Sequence, residues 1–204
     1  MAKVNLDKID SQYYDVLREI GNIGAGNATT ALAQLLNMKL DMRVPKVDLV
    51  EFNKLAETVC GEEEIVVGIY LFLEEDVKGS MMFLLAESSA HALVNQLMGR
   101  DVNYSEPFND MDFSALQEIG NIITGAYLSS LSGLTGLFIN ASVPYMTVDM
   151  AGAILSVPAI EFGKLGDKAL LIETEFGDDI AINGYFILIP DMESYDVILS
   201  SLGV

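Results

Sequence analysis

Four side chains combine reactive type with repeated spacing: Glu19 and Asn22 within REIGNIGAGN, and Glu118 and Asn121 within QEIGNIITGA. Each pair joins a carboxylate, which accepts hydrogen bonds and attracts cations, to an uncharged amide that both donates and accepts. On a helix at 100° per residue, Asp15, Glu19, Asn22 and Gly26 fall within roughly 60° of arc, because their spacing is i, i+4, i+7, i+11. Ser114, Glu118, Asn121 and Gly125 repeat the stripe, while Leu17, Ile20 and Ile23, or Leu116, Ile119 and Ile122, point elsewhere as a core face. The polar stripe therefore faces outward. Neither copy sets a His, Cys or Ser beside a base as a nucleophile would require. A phosphate loop is disfavoured too, since Ile123 replaces Gly24 in the second copy and no Lys-Ser or Lys-Thr follows. Spacing alone leaves two readings open: a working surface, or solvated polar residues kept by shared ancestry.

The ancestry is visible. Residues 17–45 and 116–144 are identical at eleven of twenty-nine positions, where ordinary residue frequencies give about two. The chain is an internal duplication with a period of about 100 residues, too long for a solenoid unit. Two similar halves packed about a pseudo-two-fold axis are the expected arrangement. Glycine inside a helix costs about 1 kcal/mol relative to alanine. The glycines at 21, 24 and 26 therefore suggest close approach of another backbone, from a neighbouring helix or an incoming partner.

The elements that must position the stripes can be read around them. Asp10 or Ser11, and Asn109 or Asp110, are N-cap candidates for the two motif helices. Pro45 and Pro144 open extended chain in RVPKVDLVEF and SVPYMTVDMA. The strand pair 64–73 and 79–86 forms a hairpin through EEDVK, and KALLIETEF with IAINGYFILIP repeats it. Helices over 87–98 and 194–202 close the halves. We expect one α/β domain over 1–204, with halves 1–100 and 110–204, a connector at 101–109, a shared, largely antiparallel sheet and the two long motif helices packed on it.

Composition narrows the function. With 51% hydrophobic residues in 204, the chain has material for a large core. A formal charge of −19 would repel nucleic-acid phosphates and anionic lipid. The uncharged stretch from Ile119 to Val148 is long enough for a bilayer, yet its many Ser, Thr, Asn and Gly residues and Pro144 make it a core helix followed by a strand. MAKVNLDKID lacks an apolar run after its lysines, so a cytoplasmic location is expected. Cys60, as the lone cysteine, excludes an internal disulfide and reads as an inert thiol. His91 reads as a surface or half-buried residue, and the ten methionines mainly as core filler.

Asp or Ser, three residues, Glu, two residues, Asn, twenty-two residues, Pro: this order occurs as Asp15, Glu19, Asn22, Pro45 and again as Ser114, Glu118, Asn121, Pro144. It resembles the signature of the CheC/CheX/FliY chemotaxis phosphatase family, closest to its CheC branch, across nearly the whole chain. The resemblance implies hydrolysis of the aspartyl phosphate on the response regulator CheY. Glu19 or Glu118 would pair with a lysine of the regulator, and Asn22 or Asn121 would hold the attacking water in line with phosphorus. Asp15, Ser114, Pro45 and Pro144 would support the motif. The resemblance also implies that no cofactor is bound by this chain, the Mg²⁺ residing in the phosphorylated partner. Similar proteins bind the receptor deamidase CheD, which points to a contact near Asp149. A flagellar-switch component or adaptor of the same fold without activity is the alternative.

Overall fold

A computed structural model describes residues 11–37, 42–101, 103–162, 168–176 and 182–203. Helix α1 (Ser11–Leu36) leads into strand β1 (Met42–Glu51), a 3-10 turn at Phe52–Lys54 and the short helix α2 (Leu55–Val59). The hairpin β2 (Ile65–Glu75) and β3 (Gly79–Ala86) follows, then α3 (Glu87–Met98). The second half repeats the series: α4 (Asp110–Thr135), β4 (Ile139–Ala141), β5 (Tyr145–Met150), α5 (Ala151–Phe162), β6 (Lys168–Phe176), β7 (Ile182–Pro190) and α6 (Met192–Ser201). No described helix is long and apolar enough to cross a membrane.

The described strands make one antiparallel seven-stranded sheet in the order β1-β6-β7-β3-β2-β4, with β5 also on β2. The two hairpins meet at the centre, where Phe83 of β3 lies opposite Phe186 of β7. Each half's first strand is then exchanged: β1 adds to β6 of the second half, and β4 and β5 add to β2 of the first. The halves share the expected sheet, and neither closes its own.

Strand alternation divides the core between the two faces. Val67, Ile69 and Leu71 of β2, Met81, Phe83 and Leu85 of β3, and Phe186 and Leu188 of β7 join Leu17, Ile20, Leu32, Leu116, Ile119 and Ile123 of the motif helices. Their neighbours Val66, Met82, Leu84, Ile187 and Ile189 form a second core with Leu55 and Val59 of α2 and Ile154 and Leu155 of α5. Helices α2 and α5 thus make a second layer in segments to which the sequence reading gave no element. The signal was present: GSMMFLLA is apolar at both parities, as a strand covered on both faces must be. Helix α5 itself is hidden because AGAILSVPAIEF contains Pro158 and has no clear apolar stripe.

Local chemistry fixes α4 firmly. Asn109 is its N-cap, with Oδ1 accepting from the backbone N–H groups of Met111 and Asp112, while Asp112 Oδ2 accepts from the Asn109 N–H. Gly136 ends the helix at φ 71°. Asp10, one candidate cap for α1, lies outside the described residues. Asp112, 1% exposed, also meets Arg100 Nη1 at 2.7 Å, and Arg100 lies over the Tyr104 ring. Asn95 Nδ2 donates to the Tyr104 carbonyl, so the connector is tied to both α3 and α4. Replacing Asp112 by Ala removes half of the capping box and leaves Arg100 without its carboxylate. The expected loss is about 2–3 kcal/mol in urea unfolding, against about 1 kcal/mol for a cap alone.

Candidate functional site

The two motif helices are of equal length, 26 residues each, and pack against each other over the first face of the sheet. Their buried sides settle the roles of two glycines. A Cβ at Gly24 would lie 2.5 Å from the Tyr127 ring of α4, itself stacked on Phe186 at 4.1 Å. One at Gly120 would lie 2.6 Å from Ile69 of β2. At Gly24 a side chain rather than a second backbone makes the approach, which corrects the sequence expectation at that position. Asn27 Nδ2 of α1 donates to Ser130 Oγ of α4 at 3.0 Å, and Ser130 in turn donates to the Ala126 carbonyl, joining the helices laterally.

The opposite sides carry the repeated polar residues. Asp15, Glu19 and Asn22 are exposed on α1, and Ser114, Glu118 and Asn121 are exposed on α4. The core residue Ile20 follows Glu19 directly, and Ile119 follows Glu118, so the helical period turns the acids outward as the apolar residues turn in. Ser114 Oγ donates to the Asp110 carbonyl at 2.9 Å. Among the described residues, no hydrogen bond or ion pair engages the side chains of Glu19, Asn22, Glu118 or Asn121. All four are at the surface. Within each pair the residues stand one turn apart, on the order of 5–6 Å between Cβ atoms.

The prolines do different jobs. Pro45 lies in β1 where the register with β6 slips between Arg43 and Lys46, so the residue lacking an N–H falls at an irregularity of an edge strand. Pro144 lies between β4 and β5, where Ser142 pairs with Phe72 through both backbone and hydroxyl. The Pro144 carbonyl accepts from Gln117 Nε2 at 3.4 Å, a long contact that ties this turn to the residue before Glu118. Sequence reading missed Gln117; its place beside the motif acid was the available signal, and the exposed Arg18 occupies that place in the first copy. Asp149 is exposed on β5, remote in sequence from both stripes, and its Oδ1 accepts from the Met150 N–H.

The remaining chemically notable side chains do not join these stripes. Cys60 follows α2, where burial and then the Glu64 carboxylate push its thiol pKa up, away from the reactive thiolate. His91 is half-buried and stacks on Phe108 at 4.0 Å. No group of three or more His, Cys, Asp or Glu side chains among the described residues gathers as metal ligands would.

The family model described as the CheC-like family matches residues 14–48 and 111–146. Each match runs from just before the stripe to just past its proline. The CheY-P phosphatase CheC of Bacillus subtilis (strain 168) is 36% identical over 200 residues, covering 96% of each chain. The chain belongs to the CheC-like family. In fold, FliY of Thermotoga maritima superposes with a TM-score of 0.76 at 21% identity, over 95% of this chain and 99% of that one. FliM of H. pylori, crystallised with SpeE, gives 0.71 at 13%, over 96% and 97%. At such identities these two likenesses speak for the fold alone.

Proposed function

We propose that this protein hydrolyses the aspartyl phosphate of the response regulator CheY through two equivalent sites, Glu19 with Asn22 and Glu118 with Asn121. The observation that carries the reading is the outward placement of both pairs, unengaged by described residues, in a CheC-like chain whose 36% identical relative is named a CheY-P phosphatase.

The chemistry asks little of the protein. An acyl phosphate is already activated, and the regulator brings its own Mg²⁺ and lysine. Glu19 or Glu118 pairs with that lysine and sets the register of docking. Asn22 or Asn121, one helical turn on, hydrogen-bonds a water and aims it along the line of the breaking bond. An amide suits the task because it accepts from the water without setting a negative charge beside the phosphoryl oxygens. A carboxylate there would repel them. This chain contributes positioning and the partner contributes the metal. Cytoplasmic location follows from the same reading, since that is where the regulator acts. Asp149, exposed on β5 at the end of the sheet opposite β1, is the proposed contact for CheD that the family resemblance implies.

The likeness in fold to FliM keeps one other reading in play, a flagellar-switch component without catalysis. Release of inorganic phosphate from phosphorylated CheY, followed with and without the protein, separates the two. Acceleration that scales with protein concentration is expected; an unchanged rate with a folded protein favours the switch reading.

A further inference from the structure

Three exposed glycines of the motif helices have no internal explanation, and two of them lie on the polar stripes. Gly26 and Gly125 occupy the same position of the repeat, deep inside helices where glycine is the least favourable residue after proline. Gly24 and Gly120 are required by Tyr127 and Ile69, but a Cβ at Gly26 or Gly125 would meet nothing within 4 Å. Both positions are exposed. They also need no unusual backbone, since neither has a left-handed φ. Each lies four residues beyond its motif asparagine, one turn along the same stripe, so the surface beside each amide is bare backbone.

We propose that Gly26 and Gly125 are clearance positions, which let a loop of the docked regulator come against the helix backbone and so set the distance at which the neighbouring asparagine meets the phosphoryl group. This deepens the CheY-P reading and rests on it. Any side chain there would stand between the two proteins, holding the regulator away from Asn22 or Asn121. They are positioning residues, acting through the asparagines. Within the isolated protein they are a liability, since alanine would suit the helix better.

That opposition between stability and docking supplies the test. Three variants are compared with the wild type: Gly26→Ala with Gly125→Ala, Gly26→Gln with Gly125→Gln, and Gly133→Ala. Gly133, in α4, is the third exposed glycine of the motif helices, with open space around it, but it lies roughly 90° around the helix from the stripe. Melting temperature is read for each, together with calorimetric titration by beryllofluoride-loaded CheY and phosphate release from phosphorylated CheY. The Ala pair and Gly133→Ala should both melt higher, by roughly 2–4 °C per substitution. Only the stripe variants should lose affinity, severalfold for Ala and about tenfold or more for Gln. Gly133→Ala should bind and turn over as wild type does. If the Gln pair is folded and binds within about twofold of wild type, clearance is wrong while the phosphatase reading stands. Should the Gln pair not fold, the stabilised Ala pair decides, and unchanged affinity there overturns the proposal. A wild-type protein that neither binds nor hydrolyses the phosphorylated regulator overturns both.

Discussion

Replacing Glu19, Asn22, Glu118 and Asn121 together by Ala should reduce phosphate release to the regulator's own rate, whereas either pair replaced alone should leave a substantial fraction. The reason is geometric. Both pairs sit at matching positions of two equal helices, both are exposed, and described residues occupy neither. Each should therefore process a regulator independently. Surface substitutions of this kind change stability by only about 0.5 kcal/mol, so a dead fourfold variant that melts like wild type identifies lost chemistry rather than lost fold. If one pair alone abolishes turnover in a folded protein, the second stripe serves binding or nothing.

The second large effect separates the amide from the acid. Asn22→Ala with Asn121→Ala should lower single-turnover hydrolysis by roughly 10² to 10³, the scale for losing one positioned polar group that acts in the transition state. Affinity for beryllofluoride-loaded CheY should stay near wild type, because the ground-state complex does not depend on the aimed water. Glu19→Ala with Glu118→Ala should behave otherwise. An ion pair to lysine exists from first docking, so its removal weakens the complex as well as slowing it, and added salt should reproduce part of that loss in the wild type. Asn variants that lose binding yet turn over normally at saturation would sink the water-aiming role, whatever the family.

The first-copy and second-copy sites are not identical in their surroundings. Gln117 is half-buried and reaches the Pro144 carbonyl, while its counterpart Arg18 is exposed. An arginine beside Glu19 lends that stripe a positive charge that the other lacks. Salt should therefore act unequally on the two single-site variants, which the same titrations would register.

Much of this molecule was legible along the chain because the relevant signals are local. The helical period that sends Ile20 and Ile119 inward sends Glu19, Asn22, Glu118 and Asn121 outward, and no distant contact was needed to say so. The strand Gly79–Ala86 falls where its continuous apolar run puts it, and the helix Glu87–Met98 where composition does. Asn109 capped its helix as a residue of that type before an apolar periodic run should. The duplication itself, and the matched stripes it carries, needed nothing beyond the residues.

What the sequence could not decide is which strand lies beside which. Strand β1 has the same pattern whether it returns to its own hairpin or crosses to β6, because backbone hydrogen bonds are available in either place and the alternation of side chains suits both. The choice is made by the whole sheet: β3 against β7 at the centre leaves β6 and β2 with open edges, and each receives the first strand of the other half. The glycines divide for the same reason. Gly24 and Gly26 are two residues apart and alike in sequence, yet one is filled by the Tyr127 ring from a distant helix and the other faces open solvent. Periodicity is a property of one segment, so one segment determines it; pairing and packing are properties of two, and only the folded chain brings the second one in.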